Sequence, residues 1–213
     1  MIRYFVLNNN QLLPSKEYDY QKITWCDLHQ PTDTELMDVS EKFNINLTDL
    51  EDCLDESERP RFSYDLVLQN YFLLFRAIQL YDVKLEQNST TPVGLFYTKD
   101  QKIVTIHQMK PLNFENILDR MNYLSLESPI KLYLEIIHDF IEQADYISQK
   151  IALNLRDLQK TIIKSQNTKS IQQAFQLNAY IILFNTAMLG NQNAIRGLTH
   201  KLSLSDLTIL EKI

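Results

Sequence analysis

Five carboxylates, Glu51, Asp52, Asp55, Glu56 and Glu58, fall within eight positions of the stretch "LEDCLDESERPRF", which closes on Arg59-Pro60-Arg61-Phe62. Three chemistries could use them: oxygen ligation of a divalent cation, an acid–base pair, or a solvated helix end. An EF-hand is excluded, because the loop has neither its glycine nor the bidentate glutamate at position twelve. A glycosidase pair has no support from the surrounding residues. The solvated reading needs only that Asp49, Glu51 and Asp52 favour the positive end of a short helix, with Arg59 and Arg61 offsetting the later acids. The rival is magnesium, a hard ion that keeps much of its water and often touches one or two carboxylates. On a helix, Glu51 and Asp55 share a face, as do Asp52 and Glu56. One helix cannot surround an ion, so further ligands must come from elsewhere. "IIHDFIEQAD" is a second candidate, placing His138, Asp139 and Glu142 close together on a helix, where a polar edge beside an apolar seam is the commoner explanation for such residues.

Other chemistries find no residues. The four histidines, His29, His107, His138 and His200, form neither H-x-x-x-H nor H-E-x-x-H, and Cys26 and Cys53 lack zinc-ligand spacing. With three glycines, Gly94, Gly190 and Gly197, there is no phosphate-cradling loop. No nucleophile elbow or Ser-His-Asp set is recognisable. The chain therefore reads as not an enzyme. A net charge of −6 opposes a nucleic-acid binder, which needs a basic footprint, and suits cations better. Two distant cysteines and no signal peptide point to reduced thiols in the cytosol. No run approaches eighteen apolar residues, so no membrane span is expected.

The elements that must position these groups follow from periodicity. Residues 2–7 and 22–28 read as strands, separated by polar residues and Pro14. "PTDTELMDVSEKF" opens with a capping box, Thr32 with Glu35, and Asn44 can end the helix in the left-handed region. A short helix should start at Asn46 or Thr48, run to about Leu54, and be stopped by Pro60. Residues 61–81 turn to strand, "YFLLFRAIQLY" suiting a strand covered on both faces. "LEQNSTTPVG" reads as a turn-rich break and "LFYTKDQKIVTIH" as a hairpin around Lys99–Lys102. A short helix is expected over about 113–124, and Ser128-Pro129 starts a long one. Its apolar positions are Tyr133, Ile137, Phe140, Ala144, Ile147, Ile151, Leu155, Leu158 and Ile162. After "KSQNTKS" the period resumes at Ile171, Ala174, Ile181, Phe184, Met188, Ile195, Leu198 and Leu202. This is a coiled-coil-like seam folded into an antiparallel hairpin, with arms of roughly 50 Å. The expected fold is α/β: an α/β/α sandwich with a mixed sheet over residues 1–127, then the hairpin over 128–213 packed on it, the two counting together as one domain.

One ordered string is more specific than any single motif. Trp25-Cys26-Asp27-Leu28, Pro31-Thr32, Glu35-Leu36, Leu50-Glu51-Asp52-Cys53-Leu54, Arg59-Pro60 and Tyr71-Phe72-Leu73-Leu74-Phe75-Arg76-Ala77 occur in that order. The string resembles the cytoplasmic N-terminal part of CorA-type magnesium transporters, over residues 22–107 in motif and over the whole chain in element order.

The resemblance implies the regulatory domain of a Mg²⁺ or Co²⁺ transporter, at the cytoplasmic face of the cell membrane, in a homopentamer. Weakly bound Mg²⁺ between neighbouring domains would hold the closed state, and its loss would open the pore. The family's sensor aspartate falls on Asp52 and its neighbouring glutamate on Glu51. A further acidic ligand falls at or beside His138, which makes Asp139 a substitute. The partner aspartate belongs to a stalk helix that would follow Ile213, as would the two membrane helices and their Gly-Met-Asn signature. The chain is thus expected to be a soluble fragment or a shortened homologue, attached to the membrane only through that missing segment. Two alternatives stay open: a ZntB-like zinc-efflux homologue of the same architecture, and a free-standing oligomeric scaffold without metal.

Overall fold

The computed structural model describes residues 1–16, 18–78, 90–109, 120, 127–164 and 168–202. Seven strands form one mixed sheet: β1 (Ile2–Asn8), β2 (Gln11–Ser15), β3 (Ile23–His29), β4 (Arg61–Tyr64), β5 (Tyr71–Ile78), β6 (Thr90–Tyr97) and β7 (Ile103–His107). Their order is β2-β1-β3-β7-β6-β5-β4. β3 and β7 run parallel, and the other neighbours are antiparallel.

The expected N-terminal break is in fact the tight hairpin β1–β2. Asn8 faces Gln11 across a two-residue turn, Asn9 and Asn10, whose φ angles are 49° and 62°. Asparagine tolerates this left-handed geometry, which matches the twist of a hairpin. Pro14 is accommodated because β2 is an edge strand. Part of the expected break at "LEQNSTTPVG" is likewise strand: Thr90–Gly94 belong to β6. Pro92 falls beyond the last β6–β7 rung, at Gly94, where a missing amide costs that ladder nothing.

Helices cover both faces. Helix α1 (Asp33–Phe43) has the predicted capping box, with Thr32 accepting from Glu35 N and Glu35 accepting from Thr32 N, and ends at Asn44 in the left-handed region (φ 53°, ψ 52°). Helix α2 (Leu47–Asp52) starts at its cap Asn46, whose side chain accepts from Thr48 N. Leu36, Val39, Phe43, Leu50 and Cys53 of this layer bury against Cys26, Leu28, Phe72, Leu74, Phe96, Val104 and Ile106. The opposite face, with Trp25, Leu73, Phe75 and Leu95, packs on Leu132, Tyr133, Ile136, Ile137 and Phe140 of α3 (Pro129–Lys164) and on Ala194 and Leu198 of α4 (Thr168–Thr199). The two layers sandwich the sheet, and β5 feeds both cores through alternate residues, as its continuous apolar run implies.

At 1.5 Å per residue the 36-residue α3 is about 54 Å long. Beyond the sheet, Ala144, Ile147 and Ile151 meet Leu177 and Phe184 in a third core that joins the hairpin. In α4 the buried Ser170, Leu177, Phe184, Asn191 and Leu198 recur every seventh residue, with Ala187 and Ala194 between them. The seam therefore differs in detail from the periodic reading, which counted Leu155 and Ile171: these are 39% and 43% exposed. The expected short helix over 113–124 lies outside the described residues, apart from Arg120.

Candidate metal-sensing edge

The acidic stretch is not one helix. α2 ends at Asp52, Cys53 caps it, and residues 53–57 pass through turns before β4 begins at Arg61. The helix stops because the chain must reverse into the sheet. Leu54 N bonds Glu51 O, and Asp55 N bonds Asp52 O, closing tight turns in place of a further helical turn. Asp55 then fixes its own loop, accepting from the amide and the hydroxyl of Ser57, both at 2.8 Å. The helical pairing of Asp52 with Glu56, and of Glu51 with Asp55, is therefore not realised. Pro60 acts later than expected: it precedes β4 and does not stop the helix.

Cys53 anchors the start of this loop. Its thiol donates to the Asp49 carbonyl at 3.0 Å, and burial pushes the thiol well above its usual pKa. Gly94 of β6 gives it room, since a β-carbon there would stand 2.2 Å from the Cys53 sulfur. Arg76 of β5 holds the far end, its Nη1 donating to the carbonyls of Glu56 (2.8 Å) and Glu58 (3.1 Å). Its other nitrogens bond the hydroxyl (2.9 Å) and carbonyl (2.8 Å) of Thr90.

Glu51 is exposed and Asp52 half-buried at the C-terminal end of α2, where the last helical carbonyls add negative potential. Arg61 bridges Asp52 (2.5 Å) and Glu58 (2.5 Å) and lies over the ring of Phe72, 5.2 Å from its centroid. The partial offset of acids expected of Arg59 and Arg61 thus falls on Arg61. Nearby Asp49 is raised in pKa by burial, against the pull of Arg61.

His138 and Asp139 sit on α3. Asp139 is buried, which raises its pKa, while Gln143 donates to it at 2.6 Å and Arg120 at 3.3 Å. Arg120 also pairs closely with Glu142 and reaches His138 Nδ1 at 3.2 Å. So His138, Asp139 and Glu142 do gather, but around a guanidinium. Arg120 and Arg76 are partners that local pattern in the sequence does not disclose. Arg120 lies 18 residues from His138, beyond the reach of local pattern.

Glu51 and Asp52 belong to the layer on one face of the sheet, His138 and Asp139 to the layer on the other. The sheet separates them, so one chain cannot close both sets around one ion. Among the described residues no three His, Cys, Asp or Glu side chains could hold a metal together. Glu51 and Asp52 offer hard carboxylate oxygens, the donor type a water-rich magnesium ion takes, Glu51 exposed and Asp52 half-buried against Arg61.

No helix among the described residues is long and apolar enough to cross a membrane. The family model described as "CorA-like Mg2+ transporter protein" matches residues 20–209. The chain is 24% identical over 192 residues to the cobalt/magnesium transport protein CorA of Methanocaldococcus jannaschii, covering 86% of this chain and 57% of that protein. It thus spans little more than half the length of that relative. The complete structure of the CorA magnesium transporter from the same organism matches all of this chain and 68% of its own, with TM-score 0.82 and 19% identity. The soluble domain of that CorA matches with TM-score 0.77 and 20% identity, over all of this chain and 86% of the other. The ZntB cytoplasmic domain from Vibrio parahaemolyticus shares the fold at TM-score 0.71 and 13% identity, over 92% of this chain and 78% of its own. With a family match across nearly its whole length, the chain belongs to the CorA-like Mg2+ transporter proteins.

Proposed function

We propose that this chain is the cytoplasmic, Mg²⁺-sensing part of a CorA-type transporter of Mg²⁺ or Co²⁺, working as a homopentamer at the cytoplasmic face of the membrane and doing no enzymatic chemistry. The division falls near residue 128, with the described strands and α1–α2 before it forming the α/β part and α3 and α4 the hairpin packed on it. Glu51 and Asp52 are one half of a weak cation site between subunits, and Asp139 with His138 is a second cation-facing group. Loss of the ion would release the closed arrangement, because an ion bound between chains stabilises only the assembly in which both halves meet.

The observation that carries this reading is the placement of Glu51, exposed, and Asp52, half-buried, at the C-terminal end of α2, next to a loop held at its start by Cys53 and at its far end by Arg76. An incomplete set of oxygen ligands on a firm support is what a site shared between subunits requires. Self-association draws support from α4, whose outer side carries Phe175, Ile182 and Leu189 at seven-residue spacing, 72%, 57% and 63% exposed. Such a stripe favours an assembly over a solitary chain.

The shared fold of the ZntB domain does not distinguish Mg²⁺ from Zn²⁺. The donors favour Mg²⁺: zinc sites favour thiolates and imidazoles, and Cys26 and Cys53 are buried thiols with raised pKa. A scaffold without metal is separated from both by experiment. In the full-length protein, Mg²⁺ should protect the assembled state against proteolysis, and Asp52→Ala should abolish that protection. Mg²⁺ protection and gating unchanged by Asp52→Ala would sink the sensing role.

A further inference from the structure

We infer that Arg61 is a tethered competitor of the cation at Asp52, occupying the carboxylate when no ion is bound and giving it up when one binds. This rests on the reading of Glu51 and Asp52 as a cation edge. The guanidinium is well placed to compete. Nη2 meets Asp52 Oδ2 at 2.5 Å, Nη1 meets Glu58 Oε2 at 2.5 Å, and the ring of Phe72 lies beneath it at 5.2 Å. Arg61 is about one-third exposed, so it can swing aside into water without leaving a buried charge behind. Glu58 offers it a second acceptor, so release from Asp52 does not strand it. A divalent ion on Asp52 would face this positive charge at close range, and the two cannot share the carboxylate without strong repulsion. The second candidate aspartate has the same arrangement, with Arg120 on Asp139, Glu142 and His138 Nδ1. A guanidinium thus contacts each of the two candidate aspartates.

The exchange has a mechanical consequence. Arg61 is the first residue of β4, and the preceding Pro60 packs so tightly on α4 that a β-carbon on Gly190 would come within 2.8 Å of the proline ring. Freeing Arg61 from Asp52 unpins α2 from the segment on which the long helix rests. Ion binding at the rim is thereby read at the hairpin.

Mg²⁺ titration of the assembled transporter by calorimetry, with amide exchange followed at residues 50–62, tests this in the wild type and in Arg61→Gln, Arg61→Lys, Arg59→Gln and Asp52→Asn. Unfolding curves first establish that each variant is native. Removing a partly exposed ion pair that competes with the ion should tighten half-saturation about fivefold in Arg61→Gln. Arg61→Lys, which keeps the charge and loses the fork, should fall between it and the wild type. Arg59→Gln removes an equal charge from an exposed side chain two residues away and should stay within about twofold of the wild type. If Arg61→Gln binds no tighter, or no tighter than Arg59→Gln, while Asp52→Asn weakens binding, the cation edge stands and the competitor is overturned. If Asp52→Asn titrates like the wild type, or no variant binds at all, the edge itself fails and the competitor with it.

Discussion

Asn191 of α4 closes both backbone groups of Arg76 on β5. Its Oδ1 accepts from the Arg76 amide at 2.8 Å, and its Nδ2 donates to the Arg76 carbonyl at 2.9 Å. The need for it comes from β4, which pairs with β5 only as far as Arg61 opposite Leu74. The preceding residue is Pro60, which has no amide to continue the ladder. Past that point the edge of β5 runs under α4, where unpaired backbone groups would be costly. The asparagine amide substitutes for the missing strand. Meanwhile the Arg76 side chain bonds the Glu56 and Glu58 carbonyls, so one residue of β5 ties the acidic loop to the long helix.

Asn191→Leu keeps the shape and removes both bonds. With Asn191 only 3% exposed, the Arg76 amide and carbonyl would be stranded in an apolar seam. Unfolding by urea should show a loss of about 2–4 kcal/mol, two buried groups at roughly 1–2 kcal/mol each. A loss below about 0.5 kcal/mol would mean that water or another group takes over, and that Asn191 has no special role.

How far the sequence discloses such devices depends on range. The capping box at Thr32 and Glu35 and the left-handed Asn44 follow from local backbone chemistry, and both are where pattern places them. The buried seam of α4 is legible only in part: Phe184 and Leu198 fall on the periodic reading, while Ser170, Leu177 and Asn191 do not, and Asn191 looks like a polar interruption until β5 is known to lie beneath it. The Asn9-Asn10 turn passes unnoticed because no glycine marks it. The end of α2 at Asp52 is set by tertiary demand, the return of the chain into the sheet, and not by Pro60. For the site, the sequence presents the acids, yet their arginine partners come from distant segments or from geometry that only folding fixes.

Gly94→Ala tests the close approach beneath the acidic loop. The added carbon would meet the Cys53 sulfur at 2.2 Å and Ile106 Cγ2 at 2.7 Å, so something must shift. Overpacking of this kind costs about 1–3 kcal/mol. Cys53→Ala removes the nearest obstacle and should recover part of that loss when combined with Gly94→Ala. Additive losses in a double-mutant cycle of denaturation midpoints would disprove the packing account.

Arg76→Met removes the clamp on the loop while keeping much of the aliphatic stem. The carbonyls of Glu56, Glu58 and Thr90 lose their donor, and stability should fall by about 2 kcal/mol, in the range of hydrogen bonds to charged groups. The more telling readout is local. Amides over residues 54–59 should exchange roughly tenfold faster, while those of α1 keep their wild-type ranking. Uniform acceleration across the chain would show global weakening and no clamp.

Asp27 should carry a measurable share of the chain's acid sensitivity. It is fully buried on β3, and burial alone would raise its pKa. His107, Thr105 and Arg3 outweigh that and hold it below the ordinary 3.8, with contacts at 3.3, 2.6 and 2.8 Å. A carboxyl whose folded pKa is depressed contributes stability above its unfolded value, and that contribution is lost as the pH falls through the folded one. Asp27→Asn removes the charge at every pH, so it should destabilise the chain at pH 7, and its deficit relative to the wild type should shrink as the pH drops below about 4. Groups away from Asp27 titrate alike in both proteins and cancel in the difference between their unfolding free energies. A deficit that stays constant from pH 7 to pH 3 would mean that Asp27 acts through shape alone. A deficit that narrows makes the buried Asp27–Arg3–His107 network the part of the sheet that acid undoes.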